Sequence, residues 1–525
     1  MKHCPQCNRV ETDDLLKFCR VDGTVLVFDT ASDSESATIT LTGSQPIEVV
    51  TTGRLSTTPS IAVLPFVNMS ADSENEYFCD GLAEELLNAL AKIDDLKVAA
   101  RTSTFSFKGK NTNINEIGNA LNVKTVLEGS VRKSGNRLRI TAQLVNASDG
   151  YHLWSERYDR EMKDIFDVQD EITLAVVDAL KVKLLGGVQQ VERPTQHTDA
   201  YQLYLKGRSL LYQRGLSIPR AIECFQQAVA LDSGYAQAWA GLADGYTTSA
   251  YSGYQRGPEA MPQALEAARR SLELDPDLAE SHNAFACATL LYDLDYELAE
   301  KEFRKALELN PNYPQAVAWY GLFHLQWVSG RSVEAREQML RLVDVDPLSA
   351  YAHVIFSFSG LSSGRISEAV EHGRRGVELD PKSYLALWSL ALALQCDGQY
   401  EEALASTERA LAISGRHSWA LTTLLAIYAS WNKPDKARAV FRELEARSAG
   451  EYIQPAMLVS ASAAVGEIDQ AIAFAQQAVD HKDPLFVMLA RTWSDYNRLR
   501  TDSRFREVVS KLGLPGDMGF SALGA

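Results

Sequence analysis

The stretch 280–313, ESHNAFACATLLYDLDYELAEKEFRKALELNPNY, decides the fold of this chain, because it ends in a turn that recurs at regular intervals. The clear copies of this turn are Leu231-Asp232-Ser233, Leu274-Asp275-Pro276, Leu309-Asn310-Pro311, Val345-Asp346-Pro347 and Leu379-Asp380-Pro381. Their last residues lie 43, 35, 36 and 34 positions apart. A period of this size is typical of stacked helical hairpins, each too small to bury its own core. The sequence therefore predicts an all-α solenoid over residues 199–485.

The units of this solenoid can be placed by counting outward from the stretch. We predict about eight of them, beginning near residues 202, 236, 280, 316, 350, 384, 418 and 452. The unit at 236 carries an insertion, YSGYQRGP at 251–258, which accounts for the longest interval. Residues 486–525 are predicted to form a capping segment and tail.

Within the unit 280–313, small residues, an aromatic residue and a proline occupy defined places. They are Cys287, Ala299, Phe303, Ala306 and Pro311. Small residues let the two helices of a unit approach closely, and the aromatic residue fills the gap to the next unit. The pattern resembles the tetratricopeptide repeat (TPR) family. The resemblance implies a superhelix whose concave face, lined by the first helix of each unit, binds a protein or peptide partner.

Counting along each unit places a run of mostly aromatic residues on that inner face. The predicted partner-binding groove consists of Phe285, Leu291, Tyr320, His324, Trp327, Tyr351, Phe358 and Trp388. Such a groove would suit an apolar or helical peptide segment. The alternative interpretation is that several of these side chains pack between adjacent helices.

Residues 60–186 mix strand and helix signals and are predicted to form an α+β domain. Leu138, Ile140, Ala142 and Leu144 alternate with polar residues, which is typical of a half-buried strand. Five segments resemble the TolB-like amino-terminal domain of bacterial proteins: SIAVLPF at 60–66, YFCDG at 77–81, LEGSVR at 127–132, RITAQL at 139–144 and LWSERYD at 153–159. In that family the domain often precedes TPRs and is commonly attached to a nucleotide cyclase, a winged-helix domain or a protein kinase. The resemblance assigns no catalytic residues.

The first 26 residues carry a cysteine cluster that resembles a zinc ribbon. Cys4 and Cys7 are separated by two residues, so that two thiolates on one tight turn could reach a single zinc ion. Cys19 is the predicted third ligand and Asp22 the fourth, with His3 as another candidate for the fourth place. The alternatives to one structural Zn²⁺ are a metal-free knuckle and a redox pair. Residues 27–59, rich in Ser, Thr and Asp, are predicted to be a flexible linker.

The composition of the chain excludes several classes of function. The net charge of −16 argues against broad nucleic-acid binding, because a phosphate backbone favours basic surfaces. We find no run of 18 apolar residues and no apolar signal core, so we expect no membrane span and a cytoplasmic protein. Acidic pairs such as Glu84-Glu85 are expected to be solvated. Catalytic motifs are absent, so the sequence predicts no enzyme and no catalytic residues.

These observations leave three hypotheses. The first is a non-enzymatic scaffold or adaptor that binds a partner through the concave face of the TPR array, with the TolB-like domain as a second docking or sensing unit. The second is a signalling or transcription-associated regulator that contacts nucleic acid or its machinery through the cysteine segment. The third is an unrecognised enzyme in 60–186, which a deep pocket with converging titratable groups would favour.

Overall fold

The computed structural model describes residues 2–3, 10–11, 27–28, 59–72, 75–91, 93, 96–180 and 195–516. The predicted zinc ligands Cys4, Cys7, Cys19 and Asp22 therefore lie outside the described residues. The chain divides into two compact units, 1–57 and 58–525. In the first unit three short antiparallel strands form a sheet in the order β2-β1-β3: β1 (Lys2–His3), β2 (Val10–Glu11) and β3 (Val27–Phe28).

The second unit begins with the α+β domain, whose sheet has the order β6-β4-β7-β8-β9, with β5 paired to β7. Its strands are β4 (Ser60–Val63), β5 (Val67–Asn68), β6 (Lys97–Val98), β7 (Thr125–Ser134), β8 (Arg137–Asn146) and β9 (His152–Glu161). β4 runs parallel to β6 and β7, whereas β7, β8 and β9 form an antiparallel meander. The predicted alternation in β8 is confirmed, because Leu138, Ile140, Ala142 and Leu144 are buried.

Helices cover both faces of this sheet. They are α1 (Glu76–Ala91), α2 (Arg101–Phe105), α3 (Ile114–Leu121) and α4 (Ile165–Leu180). Ile61 and Leu127 pack with α1 and α4 in one core cluster, while their strand neighbours Ala62 and Val126 pack with α3 in another. Since side chains alternate along a strand, these two clusters lie on opposite faces of the sheet.

The rest of the unit is helical, and successive helices pair as hairpins. The helices are α5 (Thr198–Gln213), α6 (Ile218–Leu231), α7 (Ala236–Tyr251), α8 (Gly257–Leu274), α9 (Ala279–Ala288), α10 (Tyr296–Leu309), α11 (Pro314–Ala318), α12 (Ser332–Val345), α13 (Ala350–Ser362), α14 (Ile366–Leu379), α15 (Tyr384–Cys396), α16 (Tyr400–Ser414), α17 (Ser418–Ser430), α18 (Pro434–Ser448), α19 (Pro455–Val465), α20 (Ile468–Asp480), α21 (Pro484–Leu489) and α22 (Ser503–Ser510). After α9 and α11 the chain continues as π-helix, at Thr289–Asp293 and Trp319–Val328.

The first repeat shows how the hairpins pack. Phe225 on α6 is fully buried between glycines on the two flanking helices. A Cβ on Gly207 would lie 2.7 Å from the Phe225 ring, and a Cβ on Gly241 would lie 2.6 Å from it. Both distances are shorter than van der Waals contact, so the ring occupies the space that side chains on α5 and α7 would need.

The insertion at 251–258 joins distant parts of the array. The Gln454 side-chain amide donates a hydrogen bond of 2.9 Å to the Tyr251 carbonyl, and His417 Nε2 lies 3.1 Å from the Ser252 carbonyl. A Cβ on Gly257 would lie 2.4 Å from the Lys482 carbonyl oxygen. The second unit of the array is thus held against the seventh and eighth, and the superhelix closes on itself.

We expect Gly257→Ala to loosen this closure. The added methyl group would overlap a backbone atom, and overpacking of this kind typically costs about 1–3 kcal/mol. Faster proteolysis at 251–258 and a larger radius of gyration in small-angle X-ray scattering would report the change. Gly450→Ala is the control, because a Cβ at Gly450 meets no atom within 4 Å. Equal behaviour of the two variants would contradict the prediction.

Candidate functional site

The eight predicted groove residues lie mostly inside the array. Leu291, Tyr320, His324, Trp327, Phe358 and Trp388 are buried, and Phe285 and Tyr351 are half-buried. The structure brings three of the aromatic rings together. The centroids of Trp327 and Phe358 are 6.1 Å apart, and those of Phe358 and Trp388 are 5.1 Å apart. These side chains pack against one another inside the array. Contact between them and a partner stays a prediction.

This row of rings continues across the interior of the superhelix. Trp388 lies 4.8 Å from Trp419, and Tyr251 in the insertion lies 6.4 Å from Trp419 and 5.4 Å from Trp319. Rings at such distances and tilts attract each other in addition to burying area. The protein's own aromatic side chains therefore fill this part of the interior of the array.

Several polar atoms of the predicted groove are also engaged internally. The Tyr320 hydroxyl donates to Glu300 at 2.8 Å, and the indole nitrogen of Trp327 donates to Ser362 at 2.7 Å. Burial lowers the pKa of His324 to about 4, so its imidazole is neutral at pH 7.

The π-helix Trp319–Val328 buries all ten of its residues. Its wider turn changes the spacing on which the inward-facing places were counted.

A cavity of about 680 Å³ lies where the α+β domain meets the array. One wall consists of α1, α2 and the segment between β6 and α2. The other wall includes residues from α5 and α7 and from the amino-terminal ends of α9, α11, α13 and α15. Volumes of this order are typical of sites for small molecules. The domain and the repeats thus share this cavity.

A buried ionic cluster forms one side of the cavity. Glu84 of α1 is 6% exposed, and its carboxylate accepts a hydrogen bond of 2.9 Å from Arg208 of α5 and one of 3.1 Å from the Tyr212 hydroxyl. Arg101 Nε lies 2.8 Å from the other carboxylate oxygen. Burial alone would raise the pKa of Glu84, but the Arg101 and Arg208 guanidiniums hold it below its usual value. The cluster contains two guanidinium groups and one carboxylate, so its net charge is positive.

Arg101 is also held by aromatic rings. Its guanidinium lies 4.0 Å from the ring centroids of both Phe105 and Tyr212. Cation–π contacts on a desolvated guanidinium contribute about 2 kcal/mol in favourable cases. Because Arg101 and Phe105 belong to the α+β domain and Tyr212 to the first repeat, these contacts dock the two parts.

A second docking point uses one of the recurring turns. Asp346 is buried, and its carboxylate accepts hydrogen bonds from the Thr102 hydroxyl and, at 2.6 Å, from the Ser103 hydroxyl. Ser103 in turn accepts a bond of 2.9 Å from the Leu348 backbone. Burial raises the pKa of Asp346, and these hydroxyl groups offset part of that effect. The domain is thus fastened to the fourth repeat as well as to the first.

Two further charged groups face the cavity without strong partners. Asp244 on α7 is 8% exposed and makes no hydrogen bond or ion pair with any residue that the structure describes. Arg214, after α5, donates one hydrogen bond of 3.1 Å to Thr248 and lies 5.4 Å over the Tyr351 ring. Its backbone angles are φ 58° and ψ −169°. Only glycine adopts this region readily, and another residue there costs about 1–3 kcal/mol.

Sequence reasoning missed these cavity residues. The expectation that the Glu84-Glu85 pair is solvated is wrong for Glu84, because the docked repeat removes it from water. No periodicity points to Arg208 or Asp244, since each stands alone among repeat residues. The dipeptide Arg214-Gly215 at the end of α5 was the one local signal, because a turn is expected there.

Within the described part of the chain, no three His, Cys, Asp or Glu side chains are grouped to hold a metal ion. No helix among these same residues is both long and apolar enough to cross a membrane.

Two segments match known families. Residues 56–175 match the second domain of HilA/YgeH-like transcriptional regulators, and residues 289–350 match the tetratricopeptide repeat family. The second match confirms the resemblance to tetratricopeptide repeats over these 62 residues, and the count of eight units stays a prediction. The first covers most of the domain that resembles the TolB-like family, and the TolB-like assignment stays a prediction.

A relative named "Putative adenylate cyclase 3" from Rhizobium meliloti (strain 1021) is 40% identical over 234 residues. The matched region is 44% of this chain and 40% of the relative, so this chain spans less than half the length of that protein. The relative carries the name of an enzyme. The prediction that this chain is not an enzyme is therefore contradicted. It rested on motifs alone, which cannot exclude an activity whose residues are dispersed along the sequence.

Solved repeat structures are similar at low identity. Pseudomonas aeruginosa pilF is 20% identical, covering 42% of this chain and 94% of pilF, with a TM-score of 0.32. YrrB, described as a TPR protein with an unusual peptide-binding site, is 20% identical, covering 38% of this chain and 97% of YrrB, with a TM-score of 0.25. The family match shows that residues 289–350 of this chain are tetratricopeptide repeat sequence, and these residues lie in an array of stacked helical hairpins on which an α+β domain is docked.

Proposed function

We propose that this chain binds a protein or peptide partner through its TPR array, and that the TolB-like domain is a sensing unit that controls access to the array. The partner would enter the cavity between the domain and the repeats. That cavity offers space for a partner segment, whereas aromatic rings fill the space around Phe358, Trp388 and Trp419.

The docking of the domain across the cavity is the observation that carries this proposal. Glu84 ties the domain to the first repeat, and Asp346 ties it to the fourth. A partner segment larger than the cavity must contact the domain or displace it. Binding of the partner and release of the domain would then be coupled, because each excludes the other.

Peptides selected by phage display on the intact chain test this coupling. We expect Asp346→Ala to bind a selected peptide more tightly, by about tenfold if the lost docking bonds contribute ~1.4 kcal/mol. Asp275→Ala is the matched control: Asp275 occupies the same place in an earlier turn and only accepts a bond from the Asp277 backbone. Fluorescence anisotropy would give both affinities. Failure to select any peptide, or equal affinities for the two variants, would refute the proposal.

A second candidate is a role in signalling of the kind that the named relatives suggest. The match of 56–175 to transcriptional regulators supports a signalling or transcription-associated regulator. The relative named as an adenylate cyclase supports a link to cyclic nucleotide formation. Incubating the full chain with ATP and Mg²⁺ and measuring cyclic AMP by mass spectrometry tests that link. Absence of product above a heat-treated sample would remove enzyme activity of this kind from consideration.

A further inference from the structure

We propose that the cavity binds a small zwitterion of the amino-acid type, with its ammonium group on Asp244 and its carboxylate on Arg214. The inference rests on the proposed sensing role and names the chemical class of the signal. Four features of the cavity carry it: a carboxylate without a donor, a guanidinium with donors to spare, the gap between them, and the walls.

Asp244 lacks the hydrogen-bond donors that a buried carboxylate needs. It lies in the middle of α7, it is more than nine-tenths buried, and it lines the cavity. Burial raises its pKa to about 6, although the Arg208 and Arg214 guanidiniums act in the opposite direction. A buried carboxylate is stable when it is paired, and an ammonium group is a strong donor for such a pair.

Arg214 offers the complementary group. Its guanidinium has five donors, and one of them is used, by Thr248. The backbone holds this side chain at the cavity in a conformation that glycine would adopt without strain. Strained residues of this kind cluster at ligand clamps. A carboxylate is the acceptor that a guanidinium binds most strongly.

The two groups attract each other but do not pair. The field of Arg214 lowers the pKa of Asp244, yet their charged atoms are not within 4.0 Å. Arg208 does not close the gap either, because its donated bonds go to Glu84 and Tyr212 and its Nε has no partner. A molecule with a cation at one end and an anion at the other would satisfy both side chains at once.

The walls suit the rest of such a molecule. Tyr254, Tyr351 and Tyr384 line the cavity and are half-buried. Their rings can cover an aliphatic side chain and can also stabilise an ammonium group from the side. The volume of about 680 Å³ admits a free amino acid with water or a short peptide. A free amino acid and a short peptide both carry an ammonium group and a carboxylate, and the experiment below distinguishes between them.

Isothermal titration calorimetry on the intact chain tests the proposal, with the proteinogenic α-amino acids and then di- and tripeptides as probes. We expect one-to-one binding of at least one probe. Its N-acetyl derivative lacks the ammonium group and its amide lacks the carboxylate, so each should bind at least about tenfold more weakly. Binding by amino acids rather than peptides, or the reverse, identifies the source.

Two variants link the binding to the named residues. Asp244→Asn and Arg214→Gly should each weaken binding of that probe by about tenfold or more. Neither should lower Tm much, because the first removes an unpaired buried charge and the second relieves backbone strain. Asp277→Asn, in an exposed turn, and Arg375→Ala, on the exposed face of α14, are the controls. Unchanged circular dichroism would show that the variants fold.

Three results would overturn the inference: no binding by any amino acid or peptide, wild-type affinity in Asp244→Asn, or binding of ATP or cyclic AMP to the cavity in place of a zwitterion. The last arm uses both nucleotides as probes under the same conditions. A chain that binds an amino acid but selects no peptide in phage display would refute the partner proposal alone. A chain that selects a peptide but binds no amino acid or short peptide would refute this inference alone.

Discussion

Glu84→Gln is expected to loosen the α+β domain from the repeat array. The substitution keeps the shape of the side chain but removes its charge, so that the Arg101 and Arg208 guanidiniums stay buried without a counter-charge. Removing one partner of a buried ion pair typically costs about 3–5 kcal/mol. The denaturation midpoint should fall, and amide hydrogen exchange in α1 and α2 should become faster. Exchange in α17–α20 should change little, because no residue of those helices belongs to the cluster or lines the cavity.

The matched control for this variant is Glu116→Gln. Glu116 lies on α3 of the same domain, is exposed, and should be insensitive to loss of its charge. The effect of Glu84 should also depend on pH. Its pKa is lower in the folded chain than in the unfolded one, so its contribution is present above about pH 4.3 and is lost as the pH falls. A Glu84→Gln variant as stable as Glu116→Gln at pH 7 would contradict the role of the cluster.

Phe225→Ala is expected to destabilise the first repeat by about 3–5 kcal/mol, the usual cost of deleting a fully buried aromatic ring. The ring lies between Gly207 and Gly241, and its loss would leave a cavity across three helices. Guanidinium denaturation followed by circular dichroism would measure the change. Leu231→Ala, at the exposed end of the same helix, should change the free energy of unfolding by less than about 0.5 kcal/mol.

A double variant makes this prediction sharper. Gly241→Ala alone should destabilise the chain, because its Cβ would lie 2.6 Å from the Phe225 ring. In the Phe225→Ala background the same change has room. It should then stabilise the helix by about 1 kcal/mol, the difference in helix propensity between glycine and alanine. If Gly241→Ala destabilises the Phe225→Ala variant as it does the wild-type chain, then the ring does not occupy this space.

Much of the fold could be predicted because its signals are local. The turns at Leu274-Asp275-Pro276 and Leu309-Asn310-Pro311 end helices wherever they occur, and the alternation around Ile140 makes a strand in any sheet. Both depend on neighbours along the chain. The groove was harder to predict because it depends on the angle between successive hairpins. Trp327 and Trp388 were predicted to line a groove, and in the structure both are buried with their rings against other rings.

The candidate site could not be predicted, because its residues meet only across long sequence separations. Glu84 and Arg208 are 124 positions apart, and Ser103 and Asp346 are 243 apart. Asp346 illustrates the limit well. In sequence it is one more turn residue like Asp275, and only the docked domain gives it two hydroxyl partners.

By itself, the sequence determined the helix-ending turns and their period, the place of the insertion at 251–258 and the alternation in β8, because spacing and turn chemistry act within one helix or hairpin. The tertiary structure alone decided that the insertion closes the superhelix, that aromatic rings fill its interior, and that the α+β domain and the repeats line a common cavity. It also decided which charges were left facing that space. The physical reason is that burial and charge pairing are properties of the assembled fold, and no short stretch of chain determines what lies opposite it.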